Sequence, residues 1–328
     1  MRRLRRTAAH VLVGLGVFLI VAAGLVRFYA YPALAKVPSS YDTTTELESQ
    51  DATVLNFETY EPETHDLAIE SRTISDPTAE PPDGDVVWQN SVTVRREDGS
   101  IFQQTRERIP FDAVTGEAVT CDGCPSWTAV DNGKKVDEVP VTRKGLTLKF
   151  PFHTEKKDYP VWDDTVDEAP TATYEGEDEI QGLTVYKFVQ VIPETVVDTR
   201  EVPGSMFGLK KPAVDADLVY AMHRTFYIEP VTGSPVNRVE ERTQELRYDG
   251  QAVPVFNGTV QYTSDEVSET VDDLSTSAAV LGAAHGLLPI GLLIVGVVAL
   301  ASGLLLGRRS ADGAAAAPAE EDRPLISA

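Results

Sequence analysis

Two cysteines in 328 residues leave room for one disulfide at most, which excludes a multiply bridged secreted scaffold. Catalytic signatures are also missing. The chain has no G-x-S-x-G, no P-loop and no G-x-G-x-x-G after a strand, so no nucleophile elbow or nucleotide cradle is nominated. Its five histidines (His10, His65, His153, His223 and His285) are scattered and fall in no metal-ligand spacing. Positive charge is scarce, with 29 Lys and Arg against 51 Asp and Glu, a net of −22. Such a surface repels phosphate backbones, so nucleic acid is excluded as a partner. These absences predict a protein that is not an enzyme and carries no cofactor and no bound metal.

What the sequence does have lies first at its ends. Val11–Val26 is an uninterrupted apolar run preceded by Arg2, Arg3, Arg5 and Arg6. Leu287–Leu306 is a second, uncharged run that ends at Arg308 and Arg309. About 20 apolar residues in a helix cross a hydrocarbon core, and both basic clusters lie on the terminal side of their runs. The positive-inside rule therefore predicts two transmembrane helices in the plasma membrane with both termini cytoplasmic. Residues 31–276 are then extracytoplasmic, and they hold 21 Lys and Arg against 47 Asp and Glu, a net of −26. Ala33-Leu34-Ala35 also fits a signal-peptidase site, so the first helix is either retained or cleaved after Ala35. Ala299, Gly303 and Gly307 share one face of the second helix at small-xxx-small spacing.

Between the runs the pattern has period 2. Leu146, Leu148, Phe150 and Phe152 alternate with polar positions, as do Val92 with Val94, Phe226 with Ile228 and Val260 with Tyr262. This is the signature of half-buried strands. Leu183–Ile192 is apolar on nearly both faces and reads as a central strand. Asp98-Gly99, Asn132-Gly133 and Asp249-Gly250 mark turns. The fold class expected is an all-β, antiparallel ectodomain, a curved sheet, half-barrel or sandwich, between two terminal transmembrane helices. Val114-Thr115-Gly116 and Val231-Thr232-Gly233 each sit in a strand–turn–strand context 117 residues apart, either a duplicated unit or two hairpins of convergent chemistry. Val267, Val271, Leu274 and Ala278 fall at helical spacing and predict an amphipathic juxtamembrane helix. The expected layout is a basic N-terminus (1–7), transmembrane helix (8–30), β-rich domain (31–263), amphipathic helix (264–286), transmembrane helix (287–307) and disordered cytoplasmic tail (308–328).

Few residues nominate a site. Cys121 and Cys124, three apart, are the disulfide candidate. Asp83 with Asp85, and Asp215 with Asp217, are weak cation candidates that a solvated acidic loop explains equally well. The segment from Gly145 to Ile192, the Tyr227–Gly233 stretch YIEPVTG and the two-helix layout together resemble the actinobacterial PorA family. The resemblance covers nearly the whole chain and implies no catalytic residues. Because the β-rich domain is too polar for a lipid-facing barrel, the expected function is a non-catalytic envelope protein. Phe150, Phe152, Val185 and Val189 would then line an apolar pocket for a lipid or glycolipid. The alternatives are a structural partner of another membrane protein, an extracytoplasmic hydrolase or a pore. The bilayer itself is the one partner the terminal helices require.

Overall fold

The computed structural model describes residues 2–131 and 136–315. They form two compact units, one made of the terminal helices (residues 1–34 and 279–328) and one of residues 35–278.

In the terminal unit, helix α1 (Arg2–Leu25) continues through a π-helical turn (Val26–Ala30) into the short α2 (Tyr31–Leu34). Helix α4 (Leu288–Ala315) follows a second π-helical turn at Ala283–Leu287. Arg5–Leu34 and Ser264–Arg308 each hold a stretch long and apolar enough to cross a membrane. The polypeptide beyond Ala315, which includes most of the expected tail, lies outside the described residues, as does the Asn132-Gly133 turn. Helices α1 and α4 approach closely because glycine lies at the crossing. A Cβ on Gly16 would sit 2.6 Å from the Leu300 nitrogen and 2.7 Å from the Gly296 oxygen, and one on Gly303 would sit 2.8 Å from the Val13 nitrogen. Ala299 is buried, whereas Gly307 faces open space. Phe18, Val21, Ile294 and Val298 stay exposed on the pair, which suits a hydrocarbon surrounding and not water.

The second unit is one antiparallel sheet of twelve strands, followed by helix α3 (Ser264–Gly282). The first half comprises β1 (Asp42–Leu55), β2 (Pro62–Ser75), β3 (Asp85–Arg96), β4 (Ile101–Asp112), β5 (Trp127–Asp131) and β6 (Val136–Pro140). The second comprises β7 (Tyr159–Pro160), β8 (Thr171–Ile180), β9 (Leu183–Val202), β10 (Val214–Ile228), β11 (Pro235–Tyr248) and β12 (Gln251–Tyr262). The spatial order is β6-β5-β4-β3-β2-β1-β12-β11-β10-β9-β8-β7. Every neighbour is consecutive in the chain except β1 and β12, which pair with each other. That is the connectivity of an up-and-down barrel, opened at a seam between β6 and β7. The same order reads as a six-strand meander used twice, and the two Val-Thr-Gly turns follow β4 and β10, the fourth strand of each half. This placement favours duplication over chance hairpin chemistry.

The turns have matching local physics. Asp112 accepts hydrogen bonds from the Val114 and Thr115 amides, and Glu229 accepts them from Val231 and Thr232. Both turns grip the crossover that joins the halves. The Thr147 and Phe152 amides donate to the carbonyls of Gly116 and Val114, and the Phe150 and His153 amides donate to those of Gly233 and Val231. This corrects the reading of Leu146–Phe152 as a strand. With its amides given to turns, the crossover makes only isolated bridges, and its apolar residues split between clusters. Leu146 and Phe150 join Tyr159, Phe188 and Phe226, while Leu148 and Phe152 pack against Trp88, Ile109 and Phe111.

Leu183–Ile192 lies within β9, paired laterally with β8 and β10, and its two-sided apolarity follows from packing on both faces, Phe188 in the inner cluster and Leu183 and Val185 against Val271 of α3. The outward positions of the strands are polar, among them Glu46, Glu48, Glu70, Gln89, Thr93 and Glu241. The inward positions carry the core.

Candidate functional site

A cavity of about 420 Å³ lies in a groove on the inner face of the sheet, closed on one side by the crossover and the segment after β7. One wall is apolar. Leu47 of β1, Leu67 and Ile69 of β2, and Phe256 and Val260 of β12 form a single cluster, because alternate residues on adjacent strands share a face.

The other wall is a ladder of charges. On the crossover, Arg143 has its side chain 1% exposed and donates to Glu107 of β4 at 2.6 Å and to Asp164 at 2.8 Å. The Trp162 indole N–H also donates to Asp164, at 2.9 Å. Asp163 accepts from the Tyr220 hydroxyl and from Arg224, both at 3.0 Å. Arg224 donates in turn to Glu240 at 2.7 Å and to Gln190 at 2.8 Å. Glu240 also pairs with Arg238 at 3.1 Å. Residues 238, 240 and 242 alternate along β11 and so all point into the groove.

The ladder sets the protonation of its members. Burial alone would push the Glu240 carboxyl up, but Arg224, Arg238 and Arg242 outweigh it and hold the pKa at about 2. Glu107 goes the other way, because burial and the facing Asp164 carboxylate raise it more than Arg143 lowers it. Burial, then Asp163, raises the Tyr220 hydroxyl above its usual range. The wall thus has fixed charge at the Glu240 end and a carboxyl that favours its neutral form at the Glu107 end.

The residues singled out from sequence lie elsewhere. Phe150 and Phe188 are 4.7 Å apart between ring centroids in the crossover core. Phe152 packs with the Trp88 cluster. Val185 packs with Val236 and with Val271 of α3, and Val189 is buried at 8% exposure with its neighbours in β8 and β10. The four residues therefore lie in different packing environments and do not converge on one cavity. Cys121 and Cys124 are joined as a disulfide in the loop after β4. Among the described residues, no group of three or more His, Cys, Asp or Glu gathers as a metal site. The groove was not legible from sequence, because its charged members come from three strands and two loops. A signal was present only in the alternation Arg238-x-Glu240-x-Arg242, where charges occupy positions that the pattern of β11 assigns to the inner face.

Comparison with known proteins places these features in a family. A family model described as Porin PorA matches residues 8–305, which takes in both terminal helices and the whole sheet. A protein named Porin PorA from Corynebacterium amycolatum is 26% identical over 302 residues, covering 73% of this chain and 77% of that one. A second Porin PorA, from Corynebacterium resistens, is 23% identical over 202 residues, covering 45% of this chain and 48% of its own. These matches overturn the expectation of a non-catalytic, lipid- or glycolipid-holding envelope protein with pore formation as a lesser reading. The expectation rested on the polarity of the strands, read as an argument against a lipid-facing barrel. That polarity was not evidence against a pore, since helices also cross membranes.

Proposed function

The chain belongs to the Porin PorA family, and on that premise we propose that it is a pore-forming membrane protein whose bilayer-crossing wall is helical. The observation that carries this reading is the family match across both helices and the sheet together. The outward strand positions carry Glu46, Glu48, Glu70 and Glu241, and such faces stand in water because an ionised side chain is costly to place in hydrocarbon. Most of the exposed large apolar side chains lie on the terminal helices. These two helices touch through glycine and leave no lumen between them, so the conducting path requires helices from several copies. The basic clusters Arg2–Arg6 and Arg308–Arg309 favour cytoplasmic termini, with the acidic sheet domain on the outer side of the membrane. No catalytic role is assigned.

The test is reconstitution of the purified full-length protein into planar bilayers. Discrete conductance steps whose frequency rises steeply with protein loading are expected, since assembly precedes conduction. Folded protein that stays electrically silent at every loading would sink the proposal.

A further inference from the structure

We propose that the groove on the inner face of the sheet is a binding site for a small organic carboxylate with an apolar body, and that Arg242 receives its carboxylate. This inference goes beyond pore formation and stands whether or not the protein conducts.

The argument begins with charge. The domain as a whole is strongly acidic, yet one end of its groove carries a surplus cation. Arg224, Arg238 and Arg242 face only Asp163 and Glu240 there. Asp163 is committed to Arg224 and Tyr220, and Glu240 to Arg224 and Arg238. Arg242 adds its charge to the field around Glu240 but makes no direct contact with either carboxylate. Among the described residues it makes no ion pair within 4 Å, and its one hydrogen bond donates to the neutral Gln244 at 2.9 Å. Its Nε is shielded from solvent and has no acceptor. A guanidinium has five donors in a rigid fork and is always charged, and a buried donor without a partner costs free energy that an incoming acceptor recovers. The fork is also held in place, with its central carbon 5.2 Å from the Phe256 ring centroid and 5.8 Å from that of Tyr220. It is therefore oriented before anything binds, which lowers the ordering cost of binding.

The second half of the argument is shape. Arg242 lies opposite Gly258 in the β11–β12 ladder, where the short side chains of Ser49 and Ala52 from β1 take the place of a β12 side chain. Beyond it stands the apolar wall of Leu47, Leu67, Ile69 and Val260. A cavity of about 420 Å³ holds a molecule of some ten to twenty heavy atoms, at the lower end of ordinary ligand pockets. A carboxylate matches the fork in a bidentate manner, and an apolar body matches the wall. A bare inorganic anion would leave the wall in contact with water, and an uncharged apolar molecule would leave Arg242 unpaired.

The experiment is calorimetric titration of the full-length protein in lipid nanodiscs with 4-phenylbutyrate and its uncharged isostere 4-phenylbutyramide, using empty nanodiscs to subtract partitioning into lipid. Saturable binding of the acid is expected, with the amide at least about tenfold weaker, since a charge-assisted bond is lost. Arg242→Gln should weaken the acid by about tenfold or more and leave the amide unchanged, while Arg95→Gln on the outer face should change neither. Absence of saturable acid binding overturns the proposal. So does equal affinity for acid and amide on the unaltered protein, a comparison that does not depend on the variant folding. Unchanged acid affinity in a folded Arg242→Gln protein overturns it as well.

Discussion

At the scale of single residues, Lys149 is the least comfortable group in the sheet domain. It is buried on the crossover, its ammonium has no hydrogen-bond partner among the described residues, and it lies 3.7 Å from the centroid of the Phe152 ring. Burial pushes its pKa down to about 7, with Asp112 opposing only in part. The folded pKa is thus depressed below the unfolded value of 10.5. Between these two values the unfolded chain binds a proton that the folded chain does not, so stability rises with pH across that window. The penalty is complete below about pH 7 and vanishes above about pH 10.5. Its size is on the order of 3–5 kcal/mol. Lys149→Met should therefore raise the urea midpoint at pH 6.5 and flatten the rise in stability between pH 7 and 9.5. A variant that keeps the full slope shows that another group is responsible.

At the scale of elements, glycines decide two contacts. Gly233 has φ 74° and faces the carbonyl oxygens of Phe150 and Pro151 so closely that a Cβ would overlap them. Gly99 has φ 82° with nothing within 4 Å. Gly99→Ala should cost only the left-handed backbone penalty, about 1 kcal/mol, whereas Gly233→Ala should cost clearly more and loosen the crossover. Urea denaturation compares the two, and equal losses would show that the close approach relaxes freely. The same contrast applies within the helices. Gly16→Leu places side-chain atoms against the backbone of α4, while Gly14→Leu meets open space. Only Gly16→Leu should reduce recovery of monodisperse protein in detergent size-exclusion chromatography. Matching profiles for the two variants would argue that the α1–α4 contact is dispensable.

At the scale of the whole molecule, the segment between the helices carries a net charge of −26, and a domain of that charge concentrates cations around itself. Its reach is a Debye length, about 30 Å at 0.01 M salt and 3 Å at 1 M. Reversal potentials under a KCl gradient should thus show cation preference at low ionic strength that weakens towards 1 M. Selectivity that is anionic, or unaffected by salt, would place the filter away from the sheet domain.

Patterns that repeat along the chain were decided by sequence alone. The two apolar runs, the strand periodicity of β3, β10 and β12, the interior rather than edge position of β9 and the recurring Val-Thr-Gly turn all follow from spacing, because helix and strand periods are local properties. Other features needed the folded chain. The crossover alternates like a strand but is held by turns 117 residues apart, and only their convergence diverts its amides. The glycine pair Gly16 and Gly296 looks unremarkable until α1 meets α4. The pairing of β1 with β12, the seam between β6 and β7, and the groove with its unpaired Arg242 depend on contacts between distant strands. A charge on an inner strand face is visible in the sequence, but whether it is neutralised depends on which carboxylates the tertiary structure brings within 4 Å.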